Sequence, residues 1–120
     1  MSQQDIARAM SDDEMWQRRA EMALSSLRAA RQLSTYAELA DTSAIPAPHR
    51  IHKLTLWLEQ TMEADAKACL PVRAAVIISK QRGIPAPGFF AQAKALGLYD
   101  GPETGAEAAA FHQACLAALF

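Results

Sequence analysis

Apolar positions recur along most of this chain at steps of three or four, and one stretch breaks the rhythm. Residues 1–10 show little apolar periodicity and are expected to form a flexible N-terminus. Trp16, Ala20, Ala23, Leu27 and Ala30 then mark one face of a first helix over about 12–32. Ser11 stands at its N-cap, Glu14 completes a capping box, and Asp12 and Asp13 suit the positive end of the helix dipole. Ser34 or Thr35 caps a short second helix with Glu38 at the reciprocal position, and Tyr36, Leu39 and Ala40 form its small apolar face. Pro46 and Pro48 impose a turn. Pro48 suits the first position of a third helix with Ile51, Leu54, Leu58 and Met62 on the core side. Arg50, Lys53 and Trp57 share a different face of that helix.

"VRAAVIIS", bounded by Pro71 and Gly83, reads as a strand, because β-branched residues fit a pleated surface. "KQRG" reads as a turn and "IPAP" as a short edge strand, since proline cannot donate to a ladder. A β-hairpin at about 72–86 follows, with Val76 and Ile78 packing on the helices, because a lone hairpin is unstable in water. Pro87 or Gly88 opens a fourth helix with Phe89, Phe90, Ala93 and Leu96 turned inward, and Gly88 allows close backbone approach. Gly97 is placed as its left-handed cap, with Leu98 as the apolar residue expected beyond it. Thr104 or Gly105 opens a last helix with Phe111, Cys115 and Ala118 inside and His112 at or near the surface. The predicted fold is mainly α with one small β-hairpin. It is a winged helix-turn-helix-like bundle of about five helices, forming a single domain over 11–120.

Composition narrows the class. The chain has 120 residues, 51% of them apolar and 21% charged, enough for one soluble domain with its own core. No apolar run approaches the roughly 20 residues that span a bilayer, and the charged N-terminus is unlike a signal peptide, so a cytoplasmic location without membrane contact is expected. Cys69 and Cys115 belong to no paired motif and are expected to be reduced. The net charge of -1 conceals segregation: residues 66–99 hold Lys67, Arg73, Lys80, Arg82 and Lys94 and no acid. Nucleotide-binding, zinc-hydrolase, serine-hydrolase and dithiol motifs are all missing from the sequence, which points away from an enzyme and calls for no cofactor.

"LSTYAELA", a proline-rich turn, a long helix and "LPVRAAVIISKQRG" together resemble the C-terminal domain of the methylated-DNA–cysteine alkyltransferases and alkyltransferase-like proteins. The resemblance covers residues 33 to about 90. It implies a helix before a DNA-recognition helix, and Tyr36 on the DNA side. The same region is similar to small uncharacterised bacterial proteins with a "TYxELA … LP … VxxKxxGxPxxGF" pattern. The alkyltransferase active site, Pro-Cys-His-Arg after the apolar strand, is replaced here by "SKQRG". Alkyl transfer needs a thiolate beside a histidine, and Cys69 lies before the strand, so that activity is not expected.

The densest polar cluster is "PHRIHK". Arg50, His52 and Lys53 at a helix start can contact phosphates, as can Lys80 and Arg82 on the hairpin tip. His49 and His52 lack a third ligand, so no metal is expected. Trp57 is the candidate for an interface, against a neighbouring helix or a second subunit. Two functions from different classes follow. One is a non-catalytic bacterial DNA-binding or regulatory protein acting on double-stranded DNA. The other is a protein-interaction or dimerisation module using Trp57, Leu56 and the alanine-rich terminal helices.

Overall fold

Residues 74–77 lie at the centre of the molecule, and the helices are arranged around them. A computed structural model of the chain describes residues 11–120; the predicted flexible segment at 1–10 lies outside the described residues. The order is α1 (Asp12–Ala30), β1 (Ser34–Thr35), α2 (Tyr36–Thr42), α3 (Arg50–Lys67), a 3-10 turn η1 (Arg73–Val76), β2 (Ile77–Ile78), α4 (Pro87–Ala95) and α5 (Gly105–Leu119). The class is mainly helical with one small two-stranded sheet.

Of the two predicted capping boxes, the side-chain cap of each forms, and the Glu38 carboxylate accepts from the Thr35 hydroxyl at 2.9 Å instead of from the backbone. Ser11 Oγ accepts from the Glu14 N–H at 3.1 Å, and Thr35 Oγ1 accepts from the Glu38 N–H at 3.2 Å. Each satisfies a donor that a helix start leaves orphaned. Pro87 begins α4. A Cβ on Gly88 would lie 3.3 Å from Glu59 Oε1, so glycine lets the start of α4 approach the carboxylate that complements its dipole.

The hairpin does not form. Of "VRAAVIIS", residues 73–76 coil into η1, and only Ile77 and Ile78 are extended. They pair in parallel with Ser34 and Thr35, not with residues 84–86. The reason is burial. Ala74, Ala75, Val76 and Ile77 are all at most 3% exposed, so the run is apolar on every side and lacks the alternation of a half-exposed wing. Pro85 and Pro87 remove donors from the expected return strand. Its remaining Ala86 N–H donates instead to the Tyr36 hydroxyl at 2.9 Å. Residues 79–84 close as a turn through Ser79 N–H to the Ile84 carbonyl.

The entry to η1 is fixed by charge. Asp65 is 4% exposed and accepts from the Arg73 backbone N–H at 3.0 Å and from Arg73 Nε at 3.1 Å. Arg73 Nη1 reaches Glu21 on α1 at 2.6 Å. The buried carboxylate is thus paired and hydrogen-bonded, as an interior charge must be.

Two helix faces differ from expectation. On α3, Ile51, expected on the core side, is 46% exposed in the first turn, while Trp57 packs on the neighbouring helix α1, meeting Trp16 edge-on at 6.0 Å. On α5, the interior positions are Ala108, His112, Leu116 and Leu119, with Phe111 and Cys115 half-buried and Ala118 exposed. An alanine-rich helix is weakly amphipathic, so its pattern fixes no phase. The bond between His112 Nε2 and the Ala75 carbonyl, 2.8 Å, marks the face that turns inward.

Four helices end in the same closure. After α1, α2, α3 and α4, Arg31, Ala44, Cys69 and Gly97 adopt left-handed φ of 54°, 54°, 57° and 75°. In each case the following residue donates to a carbonyl five positions back: Gln32 to Leu27, Ile45 to Ala40, Leu70 to Asp65 and Leu98 to Ala93. Only Gly97 avoids the Cβ clash of this conformation. Ala44→Gly and Cys69→Gly should therefore each raise the unfolding free energy by about 0.5–1 kcal/mol, while Gly97→Ala lowers it by about 1 kcal/mol, measured by urea denaturation.

Candidate nucleic-acid interface

The turn between α2 and α3 is short, exposed except at Ser43 and Ile45, and rich in carbonyls outside the helix ladders. Three cations take them. Arg19 on α1 donates through Nε to the Ser43 carbonyl at 2.6 Å and through Nη2 to Ala44 at 3.4 Å. Arg50 donates through Nε to Ile45 at 2.7 Å and through Nη2 to Ala40 at 3.0 Å, and its Nη1 pairs with Asp41 at 2.9 Å. Lys53 Nζ donates to Pro46 at 2.9 Å. The turn is braced from α1 on one side and from α3 on the other. Within it, Ser43 is fully buried and its hydroxyl finds no partner among the described residues.

This places the predicted contact residues in two groups. Arg50, Lys53, His49 and His52 stand at the start of α3; both histidines are exposed, and His49 at the N-cap makes no side-chain capping bond. A cleft of about 630 Å³ between α2 and this helix start is lined by Ala37, Asp41, His49, Arg50, Ile51 and His52. Tyr36 and Arg82 form the second group, at the other end of α2, separated from Asp41 by roughly 8 Å of helix rise. The Tyr36 hydroxyl is pushed above its ordinary pKa by burial, opposed by the Ala86 N–H bond and by nearby Arg82. Arg82 Nη2 donates to the Glu103 carbonyl at 2.6 Å. Lys80 is exposed on the same turn as Arg82. Trp57, the interface candidate, is 7% exposed and packs inside the chain.

No family model, curated protein or solved structure matches the chain.

The remaining chemistry is sparse. The Cys115 thiol is pushed up to about 11 by burial, so it stays protonated near neutral pH and is a weak nucleophile. Among the described residues no three histidine, cysteine or acidic side chains converge to hold a metal ion, and no helix is long and apolar enough to cross a membrane. A void of about 10 Å³ among Tyr36, Thr55, Glu59, Met62 and Phe89 has room for one water. The largely apolar surface groove lies elsewhere. Leu70, Pro71, Val72, Leu98, Phe111 and Cys115 line about 240 Å³, with Leu70 59% and Leu98 43% exposed.

Arg19 was not among the predicted site residues. It lies 24 residues from Ser43, and its helix position reads as solvent-facing, so only the tertiary contact reveals its role. Arg50→Ala strands the Ile45 carbonyl and removes the contacts to Ala40 and Asp41, and should cost about 1–2 kcal/mol in thermal unfolding, with little recovery in Arg50→Lys because an ammonium lacks the fork. Ser43→Ala should be neutral or stabilising by up to about 1 kcal/mol in the same assay, since it removes an unpaired hydroxyl.

Proposed function

We propose that the chain is a non-catalytic DNA-binding module that offers the start of α3 to duplex DNA from a helix-turn-helix. The observation that carries the reading is the braced turn. It holds α2 against α3 and leaves His49, Ile51 and His52 exposed on a rigid support. Arg50 uses three hydrogen bonds of the five its guanidinium can donate, and Lys53 one of three. Both therefore keep donors for phosphate while holding the turn. The resemblance of residues 33 to about 90 to the alkyltransferase DNA-binding domain supports the same face. The missing Pro-Cys-His-Arg confines the proposal to binding.

His52 and Lys80 are the residues to test, because both are exposed and their side chains make no hydrogen bond or ion pair among the described residues. Fluorescence anisotropy on a labelled duplex should show affinity falling steeply with salt. Lys80→Ala should reduce the log–log salt slope by about 0.9, the value of one phosphate contact. His52→Ala should weaken binding on the same duplex, since it removes an exposed side chain beside the start of α3. Absence of duplex binding even at low salt would sink the reading.

The apolar groove favours a second reading, a protein-interaction module. Its named lining carries no charge, and two large leucines border it in solvent. Light scattering across a concentration series, comparing the chain with Leu70→Glu, distinguishes this reading. Self-association that is lost on Leu70→Glu, without any duplex binding, would favour it over the first.

A further inference from the structure

The three histidines divide sharply: His49 and His52 are exposed, whereas His112 is 1% exposed. Its Nε2 lies 2.8 Å from the carbonyl of Ala75, itself fully buried at the centre of η1. A carbonyl only accepts, so Nε2 carries a proton, and burial of the ring disfavours a second one on Nδ1. The bond joins α5 directly to the central segment. A second proton would place a full charge in the interior, at a site that no carboxylate compensates.

The surrounding charges bear this out. Arg73 on η1 is turned to Asp65 and Glu21, Arg28 on α1 donates to the Leu119 carbonyl, and Lys94 on α4 is exposed. On α5 itself Glu107 acts on Tyr99, and Cys115, three residues beyond His112, is kept protonated by burial. The influences on His112 are burial, which lowers its proton affinity, and the Ala75 bond, which partly offsets that.

We propose that His112 is a proton-operated latch: mild acid releases α5 from η1 while α1 to α4 stay assembled. The bonds that hold α1, α2 and α3 together, the braced turn and the Asp65–Arg73–Glu21 network, do not involve α5. Release takes away one wall of the apolar groove and uncovers Phe111 and Cys115. The direction is fixed by linkage. Above the ordinary histidine pKa of about 6.5 both docked and released rings are neutral and the latch is shut. Below it the released ring binds a proton that the docked ring refuses. Each pH unit then multiplies the released fraction by up to about tenfold, until the docked ring itself protonates.

Hydrogen exchange read by mass spectrometry from about pH 7.5 to about 5, corrected for intrinsic exchange, tests the latch across the histidine range. Opening of α5 amides should rise by up to about tenfold per pH unit while α1 and α3 amides hold steady, and His112→Gln should abolish the rise. A flat α5, an equal rise in every helix, or an undiminished rise in His112→Gln would overturn it. An NMR titration of the unmodified chain needs no variant. His112 should titrate below the ordinary histidine value of about 6.5, together with the resonances of α5; titration at or above that value, or without the α5 resonances, would overturn the proposal.

Discussion

Residues 74–77 are withdrawn from water on all sides, and the rest of the fold is arranged to make that possible. Their small side chains matter. Ala74 and Ala75 let α1, α3 and α5 approach one backbone segment at once, and Val76 and Ile77 supply the bulk that fills the remaining space. A backbone so enclosed must find its hydrogen bonds locally or from neighbours. The 3-10 coil, the short parallel pairing with β1 and the ring of His112 supply them. Arg73, the one charged residue at this segment's entry, is tolerated because Asp65 and Glu21 receive it.

The second constraint is the turn between α2 and α3. Left-handed Ala44 and His49 bracket a backbone with few ladder bonds of its own. The cations that a sequence reading assigns to phosphate are first of all the groups that satisfy this backbone. Structural and binding roles need not compete, because guanidinium and ammonium groups carry more donors than the turn consumes. The order of dependence is nevertheless clear. Removing Arg50 damages the support before it removes a contact, so loss of binding in such a variant says little about the interface. His52 and Lys80, exposed and bracing no other described residue, separate the two effects.

What could be read from the sequence follows the range of the interactions. Ser11 with Glu14, Thr35 with Glu38, Pro87 at a helix start and Gly97 at a helix end are local chemistry, and each stands where its spacing placed it. The equivalent ends at Arg31, Ala44 and Cys69 carry no glycine, so nothing in their identity announces the left-handed turn. The apolar residues beyond two of them, Ile45 and Leu70, are the faint trace that remains. The strand partner of Ile77 was beyond local reasoning, since it lies 43 residues earlier at Ser34. The phase of α5 was hidden by alanine, which reads as apolar on every face. For the candidate site, the cluster at residues 49–53 was legible as a polar helix start. Arg19, which braces it from another helix, was not.

The two surfaces left over lie at opposite ends of one rigid element. The cleft and exposed histidines stand at the first turn of α3, and Leu70 of the groove follows its last turn. An uninterrupted helix of 18 residues keeps them roughly 26 Å apart. One end is polar, cationic and tied down by side-chain bonds to carbonyls, which suits recognition of a charged backbone. The other is uncharged and built from leucine, proline and aromatic carbon, which suits removal of apolar surface from water. A single ligand of ordinary size cannot occupy both, and a charge placed in the groove lies beyond a Debye length, about 8 Å in physiological salt, from the helix start. The two ends can therefore be altered separately. An effect at one end produced by a change at the other would have to travel through α3 and the segment at 74–77, where packing leaves little slack.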